Sequence, residues 1–363
     1  MATRGWILGM AALMAACDCG GEGGTPDGPV DGGPSDAGVR DAGRDAGRPD
    51  LGTPDLGPPP PEPVRFFVLG DTGEGNEAQH EVADVMEGLC ATEGCDFAVL
   101  LGDNIYDDGV ASVEDEQWRT KFEEPYADLR IPFFAVLGNH DYGGNILFVD
   151  TPGAGNEWEK GSIEVAYADF SDKWVMDDTH YTFTWGNVGF IMVDSNSILW
   201  DEDVHGDQRV WYPTALTEVG GAEWVFAAMH HPLRSNGQHG NAGRYESIEV
   251  AGVEIPLPVP IMDGRKVRDF MEEVVCGTVD VVFTGHDHNR QWLDEADRCE
   301  GTELVVSGAG AKTTDFVSGR DNDVFWSDDT QEGVLYVVVE GSVMTGRFYG
   351  RDGTMEFERT LVH

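Results

Sequence analysis

Val64-Arg-Phe-Phe-Val-Leu-Gly70-Asp71-Thr-Gly73 is the stretch from which the fold can be read. A short, nearly unbroken apolar run reads as a strand buried on both faces, as in a parallel sheet. The glycine allows a sharp turn, and the aspartate then falls at the carboxyl edge of the strand, where ligands gather in open α/β sheets. The device recurs along the chain. Phe97-Ala-Val-Leu-Leu101 ends in Gly102-Asp103, Ile131-Pro-Phe-Phe-Ala-Val-Leu137 in Gly138-Asn139, and Val279-Asp-Val-Val-Phe-Thr284 in Gly285-His286. Trp224-Val-Phe-Ala-Ala-Met229 ends at His230, and Val188-Gly-Phe-Ile-Met-Val193 is a further strand. Asn76 is placed to cap a helix whose Val82, Val85, Met86 and Leu89 share one face. Glu303-Leu-Val-Val-Ser307, Gly333-Val-Leu-Tyr-Val-Val-Val-Glu340 and Ser342-Val-Met-Thr-Gly-Arg-Phe-Tyr349 alternate more and read as antiparallel strands. The expected class is α/β, with two packed mixed β-sheets flanked by helices.

Five strand ends carry the chemistry: Asp71, Asp103-Asn-Ile-Tyr106, Asn139-His140-Asp141, His230-His231 and His286-Asp-His288. Together they supply carboxylate, imidazole, amide and phenolate groups, the set that holds two hard-to-borderline metal ions side by side. A lone aspartate after a strand is commonly a helix cap, and a lone Gly-Asn-His is commonly a turn. The weight lies in five such motifs in one chain. Asp141 is placed to hold His140 in one tautomer, and Asp287 to orient a ligand from behind. His231, beside a proline, reads as a wall or hydrogen-bonding residue, and His80, His180 and His205 as surface or packing residues. No serine, cysteine or lysine nucleophile is implied.

These motifs resemble the metallophosphoesterase superfamily, and within it the purple acid phosphatases of the small tartrate-resistant type, over nearly all of residues 64–363. Gly285-His-Asp-His-Asn-Arg-Gln-Trp-Leu293 and Val306-Ser-Gly-Ala-Gly310 add to the likeness, and Tyr106 carries the assignment to the purple subgroup. The resemblance implies the calcineurin-like sandwich fold and a first metal bound by Asp71, Asp103, Tyr106 and His288. It implies a second metal bound by Asp103, Asn139, His230 and His286, with Asp103 bridging. Carboxylate and phenolate favour Fe(III) at the Tyr106 site, while imidazole and amide suit divalent Fe, Zn or Mn. His140 would contact the substrate phosphate or leaving oxygen, and His239 matches a family position for the proton donor. The activity implied is hydrolysis of small phosphate monoesters by metal-activated water. A phosphodiesterase on the same scaffold is the alternative, and a phosphate- or metal-binding surface protein without turnover is a third reading. Residues 150–162 and 241–262 look like loop insertions bordering the pocket.

The ends and the composition bear on location. Met1-Ala-Thr-Arg4 leads into an apolar stretch and Ala15-Ala16-Cys17, which reads as an export signal over residues 1–16. Cys17 resembles the lipidated first residue of a bacterial lipoprotein, and an ordinary secretory signal is the alternative. Residues 17–63, rich in Gly, Pro, Asp, Ala and Arg, read as a disordered tether to a catalytic domain at 64–363. The only membrane contact expected is through that lipid. A formal charge of −44 repels polyanions and argues against nucleic acid as a partner. Solubility, a saline habitat and calcium-binding acidic loops are competing reasons for it. Of the six cysteines, Cys90 with Cys95 and Cys276 with Cys299 read as disulfides in an exported chain, while Cys19 is unassigned.

Overall fold

The computed structural model describes residues 62–145, 152–202, 204–245, 248–250, 253–255 and 260–363. The expected signal at 1–16, the lipidated Cys17, Cys19 and the tether up to residue 61 lie outside the described residues. The first strands are β1 (Val64–Leu69), β2 (Phe97–Leu100), β3 (Phe133–Ala135), β4 (Trp174–Val175) and β5 (Tyr181–Trp185). Then come β6 (Val188–Met192), β7 (Trp224–Ala228), β8 (Ile248–Val250), β9 (Val253–Ile255) and β10 (Val281–Thr284). The last six are β11 (Arg290–Leu293), β12 (Glu303–Ser307), β13 (Val324–Asp328), β14 (Gly333–Glu340), β15 (Val343–Gly350) and β16 (Met355–Val362).

Two mixed seven-stranded sheets result, ordered β16-β15-β14-β1-β2-β3-β4 and β13-β11-β12-β10-β7-β6-β5. β8 and β9 form a separate hairpin. Each large sheet has a parallel centre, with Phe66 opposite Phe97 in one and Phe190 opposite Phe226 in the other. The parallel strands explain the continuous apolar runs, since both faces of each are covered. β14 and β15 are antiparallel as expected, whereas β12 (Glu303–Ser307) is mixed, antiparallel to β11 and parallel to β10. A buried central strand is covered on both faces whichever way its neighbours run, so its residue pattern reveals only one of the two pairings.

Phenylalanines fill the space between the sheets. The Phe66 ring stacks on Phe97 at 5.0 Å and meets Phe190 and Phe226 at 5.3 and 5.8 Å. A second apolar layer, including Val267, Tyr212 and Phe270, lies under helices Gln208–Val219 and Arg265–Phe270 on the second sheet. Helix Glu77–Thr92 begins where expected, with the Asn76 side chain accepting from the Gln79 amide, and buries Val82, Met86 and Leu89. The two sheets are clasped at one edge. The Gly70 amide donates to the Ser307 carbonyl at 2.8 Å, the Gly310 amide to the Gly70 carbonyl at 3.0 Å, and Ser307 Oγ to the Val68 carbonyl at 2.9 Å. That clasp brings the carboxyl edges of both parallel centres together.

Both expected disulfides are present, Cys90–Cys95 and Cys276–Cys299, closing segments with sequence separations of 5 and 23. Loop-closure entropy predicts that replacing Cys276 and Cys299 with serine costs about 3 kcal/mol, and the shorter pair about 2 kcal/mol. Urea unfolding of the two double variants checks the order; a larger loss for the Cys90/Cys95 variant would contradict it.

Candidate metal centre

Each candidate ligand stands one or a few residues past the end of a parallel-centre strand. Asp71, Asp103 and His286 have positive φ angles of 58, 52 and 68°, a region that non-glycine residues seldom occupy. Such strain concentrates where surrounding packing fixes a functional side chain. The preceding glycines are needed because the next motif fills their space. A Cβ on Gly138 would lie 2.2 Å from Asp103 Oδ1, and one on Gly285 would lie 2.6 Å from Asp71 Oδ2.

Two groups of ligand atoms form. In the first, the Tyr106 hydroxyl lies 3.0 Å from Asp71 Oδ1, 2.9 Å from Asp103 Oδ2 and 3.2 Å from His288 Nε2. In the second, His230 Nε2 lies 3.1 Å from Asn139 Oδ1, 3.1 Å from His286 Nδ1 and 3.4 Å from Asp103 Oδ1. Asp103 thus belongs to both groups. His230 Nδ1 lies 2.8 Å from the Leu101 carbonyl, so it carries the proton and Nε2 presents a lone pair. One phenolic proton faces two carboxylates, and one imidazole lone pair faces an amide oxygen and a carboxylate. Acceptors in such excess fit a pair of cations.

The ionisation of these groups agrees. Burial, then the Asp103 charge, pushes the Asp71 carboxyl well above the usual carboxylate range. Burial, then Asp103 and Asp71, raises the Tyr106 phenol. Burial lowers His230 and, with His239 next, His286; burial and then Lys312 take His288 down to about 3. The imidazoles are therefore neutral, as metal binding requires.

Around these groups stand the other residues singled out in the sequence. His140 is adjacent, its ring 4.6 Å from that of Tyr106 and its backbone amide bonded to Asp103 Oδ1 at 2.9 Å. Asp141 does not hold it. The Asp141 carboxylate is fully buried and accepts from the amides of Asn104, Ile105 and Gly138 at 2.7, 3.0 and 2.7 Å. Tying two metal motifs together by their backbone turns Asp141 away from His140, whose Nδ1 instead meets the Asp107 carbonyl at 2.6 Å. His239 stacks on His286 with ring centroids 3.9 Å apart. Asp287 orients that neighbour rather than a ligand directly, accepting from the amides of His239 and Gly240 at 2.7 and 3.1 Å. His231 is buried against Ser195 Oγ at 2.9 Å, yet also contributes one atom to a His230–His231–His286 group within 4.8 Å. His180 and His205 pack near Trp211 and Tyr142, and His80 is exposed.

Several neighbours carry no sequence motif. From the segment expected to be an insertion, the Gly153 carbonyl accepts from Asn139 Nδ2 at 2.8 Å, turning the amide oxygen to His230. Tyr245, from the other expected insertion, is buried with its ring 5.9 Å from His286. Lys312 Nζ sits 3.1 Å from the centre of the Tyr106 ring. The available signal for Lys312 was its place in a loop beyond β12, at the same edge as every ligand.

A clasped pair of α/β sheets with acceptor groups meeting at one edge defines a metal-dependent phosphoesterase class. Residues 64–290 match the calcineurin-like phosphoesterase family, and the chain belongs to it. It is 27% identical to purple acid phosphatase 3 of Arabidopsis thaliana over 266 residues, 69% of this chain and 63% of that protein. It is 24% identical to tartrate-resistant acid phosphatase type 5 of Mus musculus over 337 residues, 83% of this chain and 91% of the relative. In fold it is similar to GAP50, the anchor in the inner membrane complex of Plasmodium, with a TM-score of 0.62, 18% identity and coverage of 83% and 89%.

One buried acid beside the centre gives a pH test. Glu164, on helix Trp158–Tyr167, is fully buried, and burial, then the charge of Asp141, pushes its carboxyl well above the usual carboxylate range. A raised folded-state pKa contributes stability that is present below the unfolded value and is lost as pH rises through the folded one. Glu164→Gln has no such loss, so its melting temperature should gain on the wild type as pH goes from 5 to 8. Melting curves of both proteins across that range check it, and a pH-independent difference would contradict it.

Proposed function

We propose that the chain is a binuclear-metal acid phosphatase of the purple type, hydrolysing small phosphate monoesters. The observation that carries this reading is the Tyr106 hydroxyl within hydrogen-bonding distance of Asp71, Asp103 and His288. Asp71, Asp103, Tyr106 and His288 would hold Fe(III), and Asp103, Asn139, His230 and His286 a divalent Fe, Zn or Mn. Bound there, the ions would clamp the phosphate, acidify water and offset the charge of an in-line displacement.

The chain's own residues do the rest. Asp103 links both sites, and the Gly153 carbonyl fixes which end of the Asn139 amide faces inward. Because a carbonyl only accepts, the contact with Asp107 puts the His140 proton on Nδ1 and leaves Nε2 as the group for the substrate. His239, held by Asp287 through its backbone, donates a proton to the departing alkoxide. Export and anchoring through a lipidated Cys17 belong to the same proposal, supported by two disulfides, which suit an oxidising compartment. No helix among the described residues is long and apolar enough to cross a membrane.

The deciding experiment pairs metal analysis with turnover of p-nitrophenyl phosphate and its bis-ester. Asp103→Asn should lose both ions and several orders of magnitude in rate, whereas His239→Ala should keep them and lose ~10²–10⁴ in kcat. Near-normal activity in Asp103→Asn would sink the two-metal reading, and faster turnover of the bis-ester would favour a phosphodiesterase. Cys17→Ser should move the protein from membranes to the soluble fraction with activity kept; an unchanged membrane fraction refutes the anchor.

A further inference from the structure

The chain has 23 basic residues against 67 acidic ones, yet a lysine lies against the proposed phenolate ligand. Lys312 Nζ is 3.1 Å from the Tyr106 ring centre, while its side chain keeps only 27% of its exposure. Its position is fixed from several directions. Glu74, three residues past Asp71, pairs with Nζ at 2.7 Å. On the backbone, Asn76 Nδ2 donates to the Ala311 carbonyl at 2.8 Å, the Gly310 amide to the Gly70 carbonyl at 3.0 Å, and the Thr314 amide to the His288 carbonyl at 2.9 Å. The Lys312 loop is therefore stitched to the first motif on one side and the last on the other.

We infer that Lys312 is a positioning cation for the Tyr106 phenolate, setting the energy of the electrons that the phenolate shares with its metal. The inference rests on the proposed Fe(III)–Tyr106 assignment and goes beyond it, since nothing in the ligand set requires a lysine. A partly desolvated ammonium against a ring is attracted to its electrons, and a negative charge on the phenolate oxygen strengthens that attraction. Charge transfer from phenolate to Fe(III) moves an electron away from Lys312, so the cation raises the energy of the visible transition. It also favours the reduced iron, as positive charge near a redox centre does.

The test uses the full chain loaded with iron, in wild-type, Lys312→Met and Lys312→Arg forms. It reads the visible band, the iron reduction potential and the iron content. Removing the charge should move the band to longer wavelength and lower the potential at equal iron content, while the arginine variant stays near the wild type. A band and potential unmoved in Lys312→Met, or a shift as large in Lys312→Arg, would overturn the inference. Should the methionine variant fail to hold iron, Glu74→Gln replaces it. That change leaves the cation without its counter-charge, so the band must move to shorter wavelength, and an unmoved band overturns the inference. A wild-type protein that binds iron without a visible band would remove the phenolate assignment itself, which separates the two failures.

Discussion

Asp71 and Asp103 approach the same phenol from different strand ends, sharing the Tyr106 hydroxyl at 3.0 and 2.9 Å. Gathering carboxylates, a phenol and three imidazoles out of water is unfavourable unless something compensates for their desolvation. The rest of the structure makes that gathering possible. The phenylalanine core between the sheets and the backbone clasp of Gly70, Ser307 and Gly310 hold the strand edges together. The His286 amide on Asp71 Oδ2 and His230 Nδ1 on the Leu101 carbonyl then cross from one sheet to the other. Without a cation the cluster holds the Asp71 carboxyl and the Tyr106 phenol towards their protonated forms and its imidazoles neutral, while Asp103 is held ionised; a cation lets the other acids ionise and uses the lone pairs.

The fold alone does not decide an activity. The same sandwich forms the GAP50 anchor of the Plasmodium inner membrane complex, and that likeness concerns the arrangement of the sheets. The features that bear on activity in the present chain are local: two groups of donor atoms share Asp103, and His140 and His239 stand beside them. The His140 ring is held by the Asp107 carbonyl, and the His239 backbone by the Asp287 carboxylate.

Supporting residues show how much of such a site lies outside its ligands. Asp141 spends its carboxylate on three backbone amides, and so fixes the Asp103 and Asn139 turns relative to one another. Gly153 reaches Asn139 from a segment with no motif and has a φ of +80°; a Cβ there would meet His140 at 2.4 Å. Of the two segments read as insertions, Gly153 and Tyr245 lie beside candidate ligands, Asn139 and His286 respectively, and residues 246–247, 251–252 and 256–259 lie outside the described residues.

The parallel strands, the capped helix and the candidate ligands were legible in the chain, because a buried strand must be apolar and its ligand must follow at the edge. β1 and β12 have the bounds read from the sequence, since turn residues and polarity end them sharply. The parallel pairing of β12 with β10 was not legible, nor were the short β4, β11 and β13, whose identity depends on which neighbour supplies hydrogen bonds. Sequence order likewise suggested that Asp141 serves His140 because the two are adjacent. Tertiary structure gave Asp141 to distant amides, gave Asp287 to the His239 loop and set Lys312 against Tyr106. Adjacency in the chain constrains only where a residue's backbone lies. Which partner its side chain meets is decided by the packing of two sheets, and that packing joins residues 238 positions apart, as Lys312 and Glu74 show.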